Sequence, residues 1–466
     1  MKQADFVSIC GDKQLWDWMR KDSIYPYPSI SLAGRESYLK KLYQRVNKRL
    51  YYPQPALDYL SLNKGKGVLR VVPVLSLDDL CVYYYCARKL EKFIAKNRVS
   101  TTFGGFGLSG KLRRLEDAEL DRAIQDSQTK EVIYLDDEYG YSVRYIFGAR
   151  KWYHEWGDFN RKLYFCCLKN SDGYAAQVDI SNFYDSISLD SLEYKLRKVV
   201  GASSSDIVYL LMHLLRYWNR HIYFYRQQGV GLPQDLFGEC SRILANHFLQ
   251  TYDKSMSSFC RKLRAQYFRY ADDQFFLANN KEILELIIAK ASSLLMKEGL
   301  NFNQKKVNVS TIKKLKKSFA FRSFSALAGK PRLVPALTTQ RMILFYLRNR
   351  KNLRKEGLTL LRRILTVLFF VNRRMLKLSK LKRHLLSASF LSSNYFMSSR
   401  DLTKIYAILN AKEKARFLRI IEANVKKCLY TYYLYEARKF YGKHNQSTRL
   451  VSSRIAKVRA LYKFER

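Results

Sequence analysis

The stretch that most constrains this chain is residues 267–277, YFRYADDQFFL, two apolar and aromatic runs bent around adjacent aspartates. Runs of that composition read as a pair of β-strands, and the bend falls at Asp272-Asp273. Asp is common in turns, so the pair alone reads equally well as a turn or as a site. A second segment separates the two. Residues 174–187, YAAQVDISNFYDSI, form another apolar strand that delivers Asp179, with Phe183-Tyr184 four and five residues later. Between them lies GLPQDLFGECSRILANHFL, residues 231–249, a Gly/Pro loop feeding a helix.

Aspartates from neighbouring strands suit one chemistry well. Phosphoryl transfer to a 3′-hydroxyl uses two divalent metals about 3.5–4 Å apart, one activating the hydroxyl and the other steadying pyrophosphate. Magnesium prefers carboxylate oxygens and retained water, so Asp179 and Asp272 would suffice for two Mg²⁺ ions, with Mn²⁺ as a substitute.

The rest of the chain is read more coarsely. Helical patterns cover residues 77–96, 188–200, 241–256 and 282–297, with Ser188 as a cap and Gly201 and Gly299 as stops. A Gly-rich loop, TTFGGFGLSG at 101–110, precedes a helix expected near 111–126, and a strand is expected at 300–309. Strands brought together out of sequence order, with helices beside them, give an α+β layer. After Pro335 the pattern is helical, with basic polar faces. Four regions follow: a helical extension at 1–63, then 64–160, then 161–335 with the aspartate strands, and a basic helical region at 336–466.

Charge points to the partner. The chain carries a net +44, and from Asn301 onward 40 basic residues face six acidic ones, a local +34. Such a field is best tolerated when a polyanion is the usual partner, either nucleic acid or an anionic membrane surface. The 62 Phe and Tyr residues favour nucleic acid, since rings stack on bases as well as fill a core. The longest apolar run, 364–371, is too short to span a bilayer, and the N-terminus has no signal-peptide core. Eight scattered cysteines without zinc spacing suggest reduced thiols in a cytoplasmic protein.

Taken in order, these segments resemble the reverse transcriptases. YADD resembles their Y-x-D-D motif, VDISNFYDSI the first palm motif, GLPQ with SRILAN the intervening loop and helix, and GLNFNQKKV (residues 299–307) the next palm motif. GVLRVVPVLSLDDLCVYYYCARKLEKF resembles the fingers, and residues 318–335 the hairpin that grips the primer end. The resemblance covers residues 64–335 and implies a right-hand polymerase: fingers, a palm of antiparallel sheet plus helices, and a helical basic thumb. It implies that Asp179, Asp272 and Asp273 hold the metals and that Tyr184 excludes a ribose 2′-hydroxyl, making dNTPs the expected substrate. Gln234 would sit by the incoming sugar, Arg70 would hold the triphosphate, and Lys306 would protonate pyrophosphate.

Departures from the family pattern accompany these matches. GLPQD stands where GLPQG is usual, two extra residues precede SRILAN, and Lys111, Arg113 or Arg114 must replace a fingers arginine. No RNase H, endonuclease or integrase motif set is present, which makes the chain similar to bacterial defence-associated reverse transcriptases of the abortive-infection and "unknown" groups. The expected activity is RNA-directed DNA synthesis in antiphage defence. Expected partners are an RNA template or non-coding RNA, the DNA product and a companion defence protein; no membrane partner is expected, and an oligomer is compatible with the sequence. Two other readings are a template-independent or protein-primed DNA nucleotidyl transferase and a catalytically inactive nucleic-acid-binding partner.

Overall fold

The computed structural model describes residues 1–65, 67–96, 98–105, 108, 152–170, 172–218, 229–316, 334–350, 354–393 and 397–462. The helix expected near 111–126, its Lys111, Arg113 and Arg114, and nearly all of the hairpin expected at 318–335 lie outside them. Contacts divide the chain into two units. The first gathers Met1–Asp58 and the described residues between Pro73 and 316; the second gathers Tyr59–Val72 and those from 334 onward.

In chain order, the longer elements before the central sheet are α1 (Gln3–Cys10), α2 (Leu32–Asn47), β1 (Asp58–Gly65), β2 (Val68–Val74) and α3 (Leu77–Lys96). Then come β3 (Thr102–Phe103), α4 (Trp152–Lys169), β4 (Tyr174–Asp179), α5 (Leu189–Val200), α6 (Ser205–Tyr217), α7 (Glu239–Phe248) and α8 (Gln250–Lys262). The first unit ends with β5 (Gln266–Tyr270), β6 (Asp273–Ala278), α9 (Lys281–Lys297) and β7 (Asn308–Thr311). The second unit continues with α10 (Ala336–Asn349), α11 (Arg354–Val367), α12 (Ser379–Leu385), α13 (Ser399–Ala407), α14 (Ala411–Lys427), α15 (Thr431–Lys443) and α16 (Arg449–Tyr462).

Local chemistry sets several of these ends. Ser188 caps α5 by accepting from the Ser191 N–H at 3.3 Å, and Gly201 closes it at φ 69°. Asn280 caps α9 through the Ile283 N–H at 2.9 Å, and Gly299 follows at φ 73°. The helix expected over 241–256 is two helices, α7 and α8, meeting at Leu249. The strand expected at 300–309 begins later, at Asn308, because residues 304–306 tighten into a 3₁₀ turn first.

The centre of the first unit is a five-stranded sheet in the order β3-β5-β6-β4-β7, antiparallel except where β3 runs parallel to β5. Strand β4 pairs with β6 rather than with its sequence neighbour β5, so two segments far apart in the chain become neighbours. Period-2 alternation gives the sheet two apolar faces. Ala175, Phe268, Phe275 and Leu277 pack with Phe159 and Leu163 of α4. On the other face Ala176, Val178, Tyr267 and Phe276 are buried, as are Arg269 and Gln274. At about 25 cal/mol per Å² of apolar surface removed from water, such two-sided burial is what holds a short sheet together.

The second unit pairs β1 with β2 and continues as a helical array. Its contacts run α10 to α11, α11 to α13, α13 to α15, and α15 to α16. Ser61 and Thr431 join the strand pair to α15: the Thr431 hydroxyl accepts from the Ser61 N–H at 2.9 Å, and the Thr431 N–H donates to the Ser61 hydroxyl at 3.0 Å. No helix among the described residues is long and apolar enough to cross a membrane. None of the eight cysteines forms a disulfide, and seven are buried.

Candidate functional site

Asp179 ends β4 and Asp273 begins β6, and the two are register partners, so their side chains leave the same face of the sheet. The β5–β6 hairpin turns through Ala271 and Asp272 only, one residue earlier than the sequence suggests, with Tyr270 paired to Asp273. Two-residue hairpins need a positive φ, which Ala271 supplies at 52°, a position where a side chain costs about 1–2 kcal/mol. The Asp272 carbonyl accepts from the Ile180 N–H at 3.2 Å, tying the turn to the end of β4. The topology thus brings Asp179, Asp272 and Asp273 to one end of one sheet.

The strained turn is held by residues that sequence reading missed. The guanidinium of Arg269 is fully buried: Nε and Nη2 donate to both oxygens of Asp253 at 2.7 and 2.6 Å, while Nη1 donates to Asn246 Oδ1 and to the Ala271 carbonyl, each at 2.8 Å. Tyr267 adds a 2.7 Å bond to Asp253. A fork of fixed geometry is what a buried, fully bonded cation requires. From the other side, the Ala271 N–H donates to the Phe103 carbonyl at 3.1 Å. Gly104, at φ 115°, lies so close that an added Cβ would be 2.8 Å from the Ala271 nitrogen. Glu155, ion-paired to Arg98, accepts from the Gly104 and Gly105 N–H groups at 2.8 and 2.9 Å, and Asn246 donates to the Gly105 carbonyl at 2.7 Å. The signal for this clamp was the Arg inside YFRYADD, a charge in a buried strand that had to find partners.

Lys306 reaches the site. Its Nζ donates to Asp179 Oδ2 at 2.9 Å, and the Asp179 carbonyl accepts from the Asn303 N–H at 2.8 Å. A cation therefore already stands at a carboxylate that the sequence marks as a metal ligand. The donors at this end of the sheet are hard carboxylate oxygens, the set magnesium prefers. Among the described residues no three acidic, His or Cys side chains converge into a ready metal nest. Lys306 supplies a positive charge directly at Asp179.

Tyr184 follows β4 in a short helical turn, Phe183–Ser186. Burial pushes its phenol up to about 12; Arg242 pulls down, and the charge of Asp272 pushes up, which sets the ring within electrostatic reach of that aspartate. The Tyr184 carbonyl accepts from the Leu232 N–H at 2.8 Å, so the GLPQ loop is laced to this turn. Gln234 Nε2 then donates to Asp185 Oδ1 at 3.0 Å. Asp235, the unusual residue of GLPQD, turns back on its own loop: Oδ2 accepts from Phe237 N–H at 3.3 Å and Oδ1 from Gly238 N–H at 3.1 Å. Burial raises its pKa to about 6, and the two N–H bonds pull the other way. Gly238, at φ 65°, then opens α7. Arg70 lies exposed on β2 in the second unit.

A family model described as reverse transcriptase (RNA-dependent DNA polymerase) matches residues 117–354, just over half of the chain. The Retron Ec83 reverse transcriptase of Escherichia coli is 26% identical over 130 residues, which are 28% of this chain and 40% of that protein's length. Among solved structures, telomerase from Candida albicans, in complex with the TWJ fragment of telomeric RNA, aligns over 91% of this chain and 70% of its own at 12% identity and a TM-score of 0.34. Apo telomerase from Candida tropicalis aligns over 91% and 74% at 12% identity and a TM-score of 0.35. With more than half its length matched by that family, and with two aspartate-bearing strands paired at one end of an antiparallel sheet, this chain belongs to the reverse transcriptases.

Proposed function

We propose that the chain is a divalent-metal-dependent RNA-directed DNA polymerase with a role in antiphage defence. The observation that carries this reading is the register of Asp179 opposite Asp273, with Asp272 at the clamped turn beside them. Asp179, Asp272 and Asp273 would hold two Mg²⁺ ions, and the bound metals would activate the 3′-hydroxyl and steady the pyrophosphate. Lys306, resting on Asp179, is within a side-chain swing of a leaving group bound there and would give it a proton. Tyr184 would close the floor under the incoming sugar against a 2′-hydroxyl, and Gln234, anchored on Asp185, would line the same wall. Arg70 is the proposed ligand for the triphosphate.

The second unit supports nucleic acid as the partner. Its described acids are used internally: Asp401 accepts from Arg362 at 2.7 Å, Glu413 from Lys382 at 2.9 Å, Glu422 from Lys426 at 2.9 Å, and buried Glu436 from the Ser399 N–H at 2.8 Å. The cationic excess therefore faces outward, as binding a polyanion requires. Likeness to a retron reverse transcriptase supports RNA as the template and is in keeping with the defence role. The test is primer extension with labelled dNTPs, magnesium and the RNA that co-purifies. Product that persists undiminished in Asp272→Asn would overturn the assignment.

A further inference from the structure

Away from the sheet, α2 ends in an unusual way. The Leu50 N–H returns to the Arg45 carbonyl at 2.8 Å and the Arg49 N–H to the Val46 carbonyl at 3.1 Å, the hydrogen bonds of a left-handed helix stop. Glycine fits that stop without strain, yet Arg49 occupies it at φ 58°. The turn so formed separates two concavities. On one side is a cleft of about 260 Å³ whose rim carries Tyr52 and Tyr209, each 62% exposed. His213 forms part of its wall, with its ring 5.6 Å from that of Tyr52, and Nε2 donates to the Tyr51 carbonyl at 3.2 Å. Asn47 and Asp206 add further polar edges. On the other side is a groove of about 450 Å³ lined by Lys41 and Lys48. Arg45 in that groove is bonded to Asp78 at 2.5 Å, whereas Lys41, Lys48 and Arg49 meet no acid among the described residues.

We propose that this turn is a binding site for single-stranded nucleic acid, with one unstacked base entering between Tyr52 and Tyr209 and the flanking phosphates lying on Lys41, Lys48 and Arg49. Two exposed rings at a cleft mouth offer π-faces to any base, and the polar edges between them can meet its hydrogen-bonding groups. Lys48 and Arg49 stand at the helix stop and Lys41 about two turns earlier on α2, so cations continue from the cleft along the groove. A strained arginine in place of glycine is the mark of a side chain kept for its charge. The proposal deepens the polymerase reading by giving its nucleic acid a foothold outside the reaction centre.

Fluorescence anisotropy with matched, unstructured RNA and DNA oligonucleotides tests it on the full chain, without metal or nucleotides. Tyr52→Ser with Tyr209→Ser should weaken binding of at least one of the two probes roughly ten-fold, and the affected probe names the strand type. Extension of a short primed template should stay unchanged. Lys41→Ala, Lys48→Ala and Arg49→Gly together should lower the slope of log K against log salt by about 2, at roughly 0.7 per phosphate. Arg49→Gly alone should hold or raise the melting temperature while binding falls, which a merely structural role would not do. Affinity within two-fold of the unaltered protein for both probes overturns the proposal and gives the cleft to a protein partner. Absence of polymerase activity in the unaltered chain would sink the catalytic reading while leaving this measurement intact.

Discussion

Replacing Gly104 with alanine probes how the aspartate turn is held. The new Cβ would stand 2.8 Å from the Ala271 nitrogen and 3.3 Å from its Cα, both backbone atoms, where ordinary contact begins at 3.4 Å. The two segments must therefore part by about 0.6 Å, and no side chain can yield in their place. Alanine at φ 115° adds a conformational cost of about 1–2 kcal/mol. Asp272 follows Ala271 directly, so the displacement passes to a proposed metal ligand. A misplacement of about 1 Å can cost roughly 100-fold in rate, so a shift of this size should lower kcat about ten-fold or more. The assay is steady-state primer extension at saturating magnesium, with thermal melting alongside. Gly201→Ala is the control, because Gly201 also has positive φ, 69°, but nothing lies within 4 Å of an added Cβ. It should lose only the conformational part of that stability and keep its rate. A Gly104→Ala enzyme working within two-fold of the unaltered one would refute the clamp.

Other expectations follow from the same geometry. Arg269→Lys keeps the charge but loses the fork, so it should cost about 3 kcal/mol in urea denaturation and raise the magnesium concentration for half-maximal activity; an unchanged metal requirement would argue against a positioning role. Lys306→Met removes the cation from Asp179, so metal binding should tighten while the maximal rate falls, measured by magnesium titration of both quantities. Asp235 has a folded-state pKa raised to about 6 from 3.8. The unfolded chain gives up that proton first, so the folded state is increasingly penalised as pH rises from about 4 to 6. Asp235→Asn, a stand-in for the protonated acid, should match the unaltered protein near pH 4 and exceed it by about 3 kcal/mol above pH 6; a gap that does not change with pH would contradict this.

What the sequence carried was the local pattern. The apolar runs in 267–277 and 174–179, the Ser188 cap and the Gly201 stop are written in neighbouring residues, and the structure repeats them with the hairpin turn moved by one residue. The pairing of β4 with β6 was legible only through the order of the motifs, because strand partnership is a long-range property. Arg269 escaped because Asp253 and Asn246 become its neighbours only after α7 and α8 have folded against the sheet. The use of Asp235 was equally hidden: its carboxylate accepts from the Phe237 and Gly238 N–H groups of its own loop, a partnership the departure from GLPQG does not announce.

The peptide of Ala271 has a consequence for control as well as for architecture. Its N–H is bonded to the Phe103 carbonyl and its C=O to Arg269, while Gly104 leaves no slack beside it. Linkage is reciprocal: whatever a metal at Asp272, the proposed ligand, would do to the Gly104-Gly105 loop, a ligand seated on that loop would do to metal affinity by the same factor. The Gly-rich segment is thus thermodynamically a second input to the aspartate turn, and sequence changes there should be expected to retune the metal requirement without touching a single carboxylate.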